Sequence, residues 1–277
     1  MNRIAVATDF SEGSKNAVKY AATLASDIGA ELFIIHVYET PVFFTSEMPY
    51  TAVEAAEKMA SAEAEKSMQA ITEEIEREFS ELKFDHIIKK GLTADLVCQL
   101  AKDVNAELLF TGATGAGAVE RYLIGSTTTA FINQSEMPVL IVPDGSYFNG
   151  ISKMVYTSDL KESSIAEVSQ ILPLVKRYEA ELDVLFIDNT IHADSEEFSE
   201  IMKTKVHDSI DHDKLAGFIC TDPDVVNGIN LFLKENPADM ICMLTHDRKF
   251  PATLWSPSVT KKFSYHPNIP LLVIHQK

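Results

Sequence analysis

An α/β fold built as two tandem parallel-sheet domains is predicted by three observations on this 277-residue chain. Short β-prone runs alternate with stretches of helical spacing, a pattern that calls for a parallel sheet with helices on both faces. The strand runs are apolar almost throughout, as in strands buried on two sides. The whole pattern also starts twice. Tyr156-Thr157-Ser158-Asp159-Leu160 echoes Val6-Ala7-Thr8-Asp9-Phe10, and Ala180 to Ile187 lies over Ala30 to Val37 at the same offset.

Each element follows in order. Ile4 to Thr8 is the first strand, and Ser14 to Ile28 carries Ala17, Val18, Ala21, Leu24, Ala25 and Ile28 at helical spacing until Gly29 stops it. Leu32 to Val37 is the second strand. Thr51 to Leu82, rich in Ala, Glu and Lys with Met59, Ala62, Met68, Ile71 and Ile75 interspersed, reads as one long amphipathic helix. His86 to Lys89 is a third strand, Thr93 to Val104 a helix, Leu108 to Thr111 a fourth strand and Val139 to Val142 a fifth.

Asp144-Gly145-Ser146 begins a polar, glycine-bearing stretch that divides the chain into domains 1–145 and 146–277. Near the end of the chain, Ser258-Val259-Thr260 matches Ser126-Thr127-Thr128, and Pro270 to Ile274 matches Pro138 to Val142. The chain is an internal duplication. Its second copy is shorter between Asn189 and Thr221, where the long first-half helix is replaced.

Composition narrows the function. Hydrophobic residues make up 46% of the chain, enough for two cores, and the formal net charge is -17. Such a charge repels phosphate at long range, which argues against nucleic-acid or anionic-membrane partners and requires any phosphate site to be local. No apolar run reaches the roughly 20 residues of a membrane span, and no secretory leader is legible, so a cytoplasmic protein is expected. Cys98, Cys220 and Cys242 are an odd set without metal or redox spacing and read as free, buried thiols.

Gly112, Gly115, Gly117 and Gly125 cluster between the fourth strand and the next helix. In a parallel sheet, ligands bind beyond the carboxyl ends of strands, where loops meet helix N-termini. Gly112 and Gly115 allow close backbone approach there, and Gly125-Ser126 opens a helix. Free N–H groups, the helix dipole and the Ser126 and Thr127 hydroxyls suit a polyphosphate without any basic patch. Neither GxxxxGK[ST] nor a GxGxxG straight after the first strand is present.

Gly112-x2-Gly115-x9-Gly125-Ser126 resembles the ATP-binding signature of the universal stress protein family. Ala7-Thr8-Asp9-Phe10-Ser11, the Leu32 to Val37 strand ending in His-Val, and Met137-Pro138-Val139 to Val142 resemble that family's first, second and closing strands. The resemblance implies open five-stranded, Rossmann-like sheets of the adenine nucleotide alpha hydrolase-like type. It places Thr8 and Asp9 at the adenosine or its metal, Val37 at the adenine, and Gly112, Gly115, Arg121, Gly125, Ser126 and Thr127 at the phosphates. ATP with Mg2+ is the implied ligand, with AMP and cyclic nucleotides left open. By the same resemblance Val139 to Val142 and Leu271 to Ile274 pair within one chain as a pseudo-dimer; a further homodimer through the Thr51 to Leu82 helix stays open.

The second copy departs from this signature. Leu244, Asp247 and Pro257 stand where Gly112, Gly115 and Gly125 stand in the first. An Asp repels phosphate and Pro257 offers no N–H, so the second half is expected to pack or to meet a partner. His207, Asp208, Asp211 and His212 are a weak zinc pattern, Lys261 and Lys262 a weak anion pattern, and His36 a hydrogen-bonded core histidine. No catalytic base is legible. The expected function is an ATP-binding stress-response switch with an unknown protein partner, against two competing readings: a slow Mg-dependent ATPase and a nucleotide-free interaction module.

Overall fold

The computed structural model describes residues 1–39, 50–113, 124–158, 167–188, 210, 212–245 and 269–275. The first half runs β1 (Arg3–Ala7), α1 (Glu12–Ile28), β2 (Glu31–Tyr38), α2 (Tyr50–Glu78), β3 (Phe84–Lys90), α3 (Thr93–Asp103), β4 (Leu109–Gly112), α4 (Ser126–Gln134) and β5 (Val139–Val142). The second runs β6 (Lys153–Thr157), a 3-10 turn (Glu167–Gln170), α5 (Leu172–Arg177), β7 (Glu181–Asp188), β8 (Leu215–Thr221), α6 (Val225–Glu235), β9 (Met240–Thr245) and β10 (Leu271–His275).

All described strands form one ten-stranded sheet in the order β3-β2-β1-β4-β5-β10-β9-β6-β7-β8. Every neighbouring pair is parallel except β5 and β10, which join antiparallel through Ile141 with Leu271, Leu140 with Leu272 and Val139 with Val273. Two five-stranded parallel sheets therefore meet at their closing strands, as the resemblance implies. Alternation along the strands feeds two core layers. Ile4, Val6, Leu32 and Ile34 face α1 and α2, and Ala5, Phe33, Ile35 and Val37 face the layer of α3 and α4. Both layers continue across the junction into the second half.

Local chemistry sets the helix limits. Ser11 caps α1 by accepting from the Ser14 N–H, and Gly29 ends it in the left-handed region at φ 73°. The buried stripe of α2 is Ala64, Met68, Ile71 and Ile75, whereas Met59 and Ala62 lie exposed, Met59 at 74%. The reason is helical phase: Ala64, Met68, Ile71 and Ile75 recur on one face of the helix, and Met59 and Ala62 stand on the opposite one. The shortened region between Asn189 and Thr221 ends in a strand that the sequence reading does not name: β8 extends the sheet beside β7.

Cys242 is buried, Cys98 and Cys220 are half-buried, and all three are free thiols. Burial raises each thiol's pKa, that of Cys98 to about 11. None is poised as a thiolate.

Candidate functional site

In the first half the strand order reverses between β1 and β4. From β1 the chain moves outward to β2 and β3, and from β4 it moves the other way to β5. The connection after β1 leads to α1 on one face of the sheet, and the connection after β4 leads to α4 on the other. Diverging connections leave a crevice beyond the carboxyl ends of these two strands, the place where open α/β sheets take ligands.

The turn after β1 is held by its own side chains. Thr8 Oγ1 accepts from the Phe10 N–H at 3.1 Å and lies 3.0 Å from Ser14 Oγ, while Ser14 Oγ accepts from the Asp9 N–H at 3.2 Å. Asp9 Oδ1 accepts from both the Ser11 N–H, at 3.0 Å, and the Ser11 hydroxyl, at 2.5 Å. Phe10 pays for the tight turn with a positive φ of 64°, and its ring lies 4.2 Å from that of His36. The result is an exposed Asp9 carboxylate presented on a fixed turn, above a buried Thr8.

His36 is buried at the end of β2, and its Nδ1 donates to the Thr8 carbonyl at 2.7 Å. That bond selects the tautomer with hydrogen on Nδ1. Burial lowers the pKa of His36, against the opposing influence of the Thr8 bond and the Asp9 charge. It is the hydrogen-bonded histidine expected from the sequence. Val37, next along β2, is 6% exposed and packs in the core layer of α3 and α4.

On the other side of the crevice, Gly112 ends β4. A Cβ there would stand 3.1 Å from the backbone carbon and oxygen of Gly13 and 3.2 Å from the Ser14 nitrogen. The glycine thus lets β4 and the first turn of α1 touch. The Gly112 carbonyl accepts from the buried Thr128 hydroxyl at 2.9 Å, and the Gly125 N–H donates to the Ala113 carbonyl at 2.9 Å. These bonds seat the start of α4 beside the end of β4. Gly125 is the N-cap and supplies no side-chain cap, so the first turn of α4, with exposed Ser126 and Thr127, keeps N–H and O–H donors for another acceptor.

The structure therefore brings Thr8, Asp9, Val37, Gly112, Gly125, Ser126 and Thr127 to the strand ends of one half, with Thr8 turned inward. Gly115 and Arg121 lie outside the described residues. Ser11, Ser14 and Thr128, which build the site from behind, were not singled out by the sequence. Their signal was local: a Ser-x2-Ser at a helix start and a Ser-Thr-Thr-Thr run after Gly125.

The second half repeats the frame. The Ser158 N–H donates to the Leu185 carbonyl at 2.9 Å, as the Thr8 N–H does to Ile35. Leu244 pairs with Ile274 as Gly112 pairs with Val142, so a leucine occupies the place of Gly112. Asp159, Asp247 and Pro257 lie outside the described residues, as do His207, Asp208, Asp211, Lys261 and Lys262. His212 engages the Ala180 carbonyl through Nε2 at 2.7 Å. Among the described residues, no three His, Cys, Asp or Glu side chains cluster to hold a metal ion.

Comparison with known proteins agrees with this frame. The model of the Universal stress protein family matches residues 1–143. A universal stress protein of Methanocaldococcus jannaschii is 28% identical over 142 residues, covering 50% of this chain and 81% of that protein. The solved structure of a universal stress protein from Archaeoglobus fulgidus DSM 4304 superposes with a TM-score of 0.72 at 17% identity, covering 99% of this chain and 96% of that one. Its likeness is one of fold, and it extends over both halves. A universal stress protein solved in complex with cAMP is 22% identical, covering 52% of this chain and 98% of that one, with a TM-score of 0.40. With the family's model spanning more than half of its residues, the chain belongs to the universal stress protein family.

Proposed function

We propose that the half formed by residues 1–145 binds ATP in the crevice between the ends of β1 and β4, and that the half formed by residues 146–277 is a degenerate copy serving packing or partner contact. One observation carries the reading: an α4 N-terminus without a side-chain cap faces the same crevice as the exposed Asp9 carboxylate. The first-turn donors of α4, with Ser126 and Thr127, suit phosphate oxygens. Gly115 and Arg121 belong to the same signature and would complete the phosphate cradle. Val37 and Thr8 line the β1–β2 side, where the base and sugar would lie.

Asp9 fits a Mg2+ ion arriving with the nucleotide, because a hard cation takes carboxylate and phosphate oxygens together. Ser11 holds one oxygen of that carboxylate and fixes its direction. In this reading occupancy rearranges the Gly112 to Ser126 segment and so changes the surface offered to a protein partner, which makes the chain a nucleotide-dependent switch.

Calorimetric titration of the nucleotide-stripped protein with Mg-ATP tests the proposal, beside a Gly115→Asp variant that copies the second half's own residue. The expected result is one site per chain, lost in the variant. No heat from either protein, with both folded by circular dichroism, would overturn the reading. Two sites per chain would overturn the assignment of the second half.

A further inference from the structure

A second concavity lies on the α1 and α2 face of the sheet, with Glu12 and Gly13 of the first turn of α1 in its lining. It is a groove of about 650 Å³ between α1, α2 and the stretch that joins the two halves. That volume falls within the range of about 300–1,000 Å³ typical of ligand clefts. Val18, Ile71 and Ile75, all buried, form an apolar floor. Glu12, Glu74, Glu78 and Asp144 stand around it with Lys15 and Lys19.

Both lysines already have carboxylates: Lys15 pairs with Glu12 at 3.0 Å and Lys19 with Glu78 at 2.8 Å. The groove therefore keeps an excess of negative charge. The pKa of Lys19 is raised, first by its bond to Glu78 and further by the charges of Glu78, Glu74 and Tyr147. Tyr147 forms one wall and is 67% exposed, an unusual state for an aromatic side chain in a chain whose other described rings mostly pack inward. That wall is fixed, because Asn16 Nδ2 donates to the carbonyls of Pro143 and Ser146, at 3.1 and 3.0 Å, while Ser146 and Phe148 on either side are buried.

We infer that this groove docks a basic peptide segment of a partner protein, with an arginine or lysine stem over Val18, Ile71 and Ile75 and its cationic head against Tyr147 and the carboxylate rim. The occupant follows from complementarity. An apolar floor accepts the methylene stem of a long basic side chain, and an acidic rim with an exposed aromatic face accepts its head. A metal ion would not use the floor, and the rim carboxylates do not converge into a metal-holding group among the described residues. The inference is independent of nucleotide binding in the other crevice.

Fluorescence anisotropy of a labelled peptide of alternating Arg and Leu, titrated with the full chain, tests it. A Glu-Leu peptide serves as the ligand control. Three variants are compared: Glu74→Lys on the rim, Tyr147→Ala on the wall, and Glu63→Lys, which makes the same charge change on an exposed part of α2 outside the groove. The expected result is binding of the basic peptide only, weakened about tenfold by Glu74→Lys and about threefold by Tyr147→Ala, and little changed by Glu63→Lys. Equal weakening by Glu74→Lys and Glu63→Lys would reduce the effect to general attraction toward an acidic chain and overturn the inference. So would failure of the basic peptide to bind, or unaltered binding in the rim and wall variants.

Discussion

Single side chains at the β1 and β2 ends serve the turn as much as the crevice. His36 shows this most directly, since its Nδ1 bond to Thr8 fixes the backbone from which Asp9 projects. Its pKa lies below the ordinary 6.5 because burial disfavours the imidazolium. Below pH 6.5 the unfolded chain therefore takes up a proton that the folded chain resists, so the stability contributed by neutral His36 is present above 6.5 and lost as pH falls through the lower folded value. Urea midpoints measured between about pH 5 and 8 should drop on the acid side. The drop should be smaller in His36→Asn, whose amide can still donate to the Thr8 carbonyl. Gly112 belongs at this scale too. Its lack of a Cβ serves contact with Gly13 as well as any ligand, a role visible only once α1 and β4 are in place, whereas Leu244 at the equivalent position carries a half-buried side chain.

Among the elements, α1 reaches the crevice, the joining stretch and the second half. Its N-cap borders the crevice, Asn16 holds the joining stretch, and the Tyr20 ring meets Phe148 edge-on at 5.3 Å. At its far end, Asp27 accepts from the Tyr178 hydroxyl at 2.5 Å and from Arg177 through its carbonyl at 2.8 Å, both residues belonging to the second half. Tyr178→Phe removes one of these bonds, at a partly exposed place, and should lower stability by about 1 kcal/mol, read as a shift in the urea midpoint. The elements themselves were largely legible. The apolar runs of β1, β2, β4 and β5 and the capped pattern of α1 leave little room for another assignment. β8 was not, because Leu-Ala-Gly-Phe-Ile-Cys-Thr places small residues in a half-buried edge strand, where neither alternation nor a continuous apolar run develops. The exposure of Met59 could be read from spacing alone, since Met59 is out of helical phase with Ala64, Met68, Ile71 and Ile75. At the site, the glycine signature and Asp9 could be found by position, whereas the inward turn of Thr8 depends on Ser14 arriving from the next helix.

For the whole molecule, the seam between β5 and β10 makes one body of the duplicated halves. Leu140 and Leu272 face each other there, both buried to 2% exposure or less, and the core layers on each side of the sheet pass through without a break. Leu272→Ala should cost about 2–5 kcal/mol. The loss should appear in a single calorimetric transition whose van't Hoff and calorimetric enthalpies agree. Separate transitions would show halves that melt independently. An antiparallel seam between parallel sheets also points the two sets of strand ends toward opposite edges of the sheet. Because that seam closes within one chain, dilution cannot part the halves, and its formation needs no encounter between molecules. Two identical chains meeting this way would have to carry every change at both edges at once. A single chain is released from that obligation, so one pole can preserve its glycines while the other gives up Gly112's counterpart for a leucine.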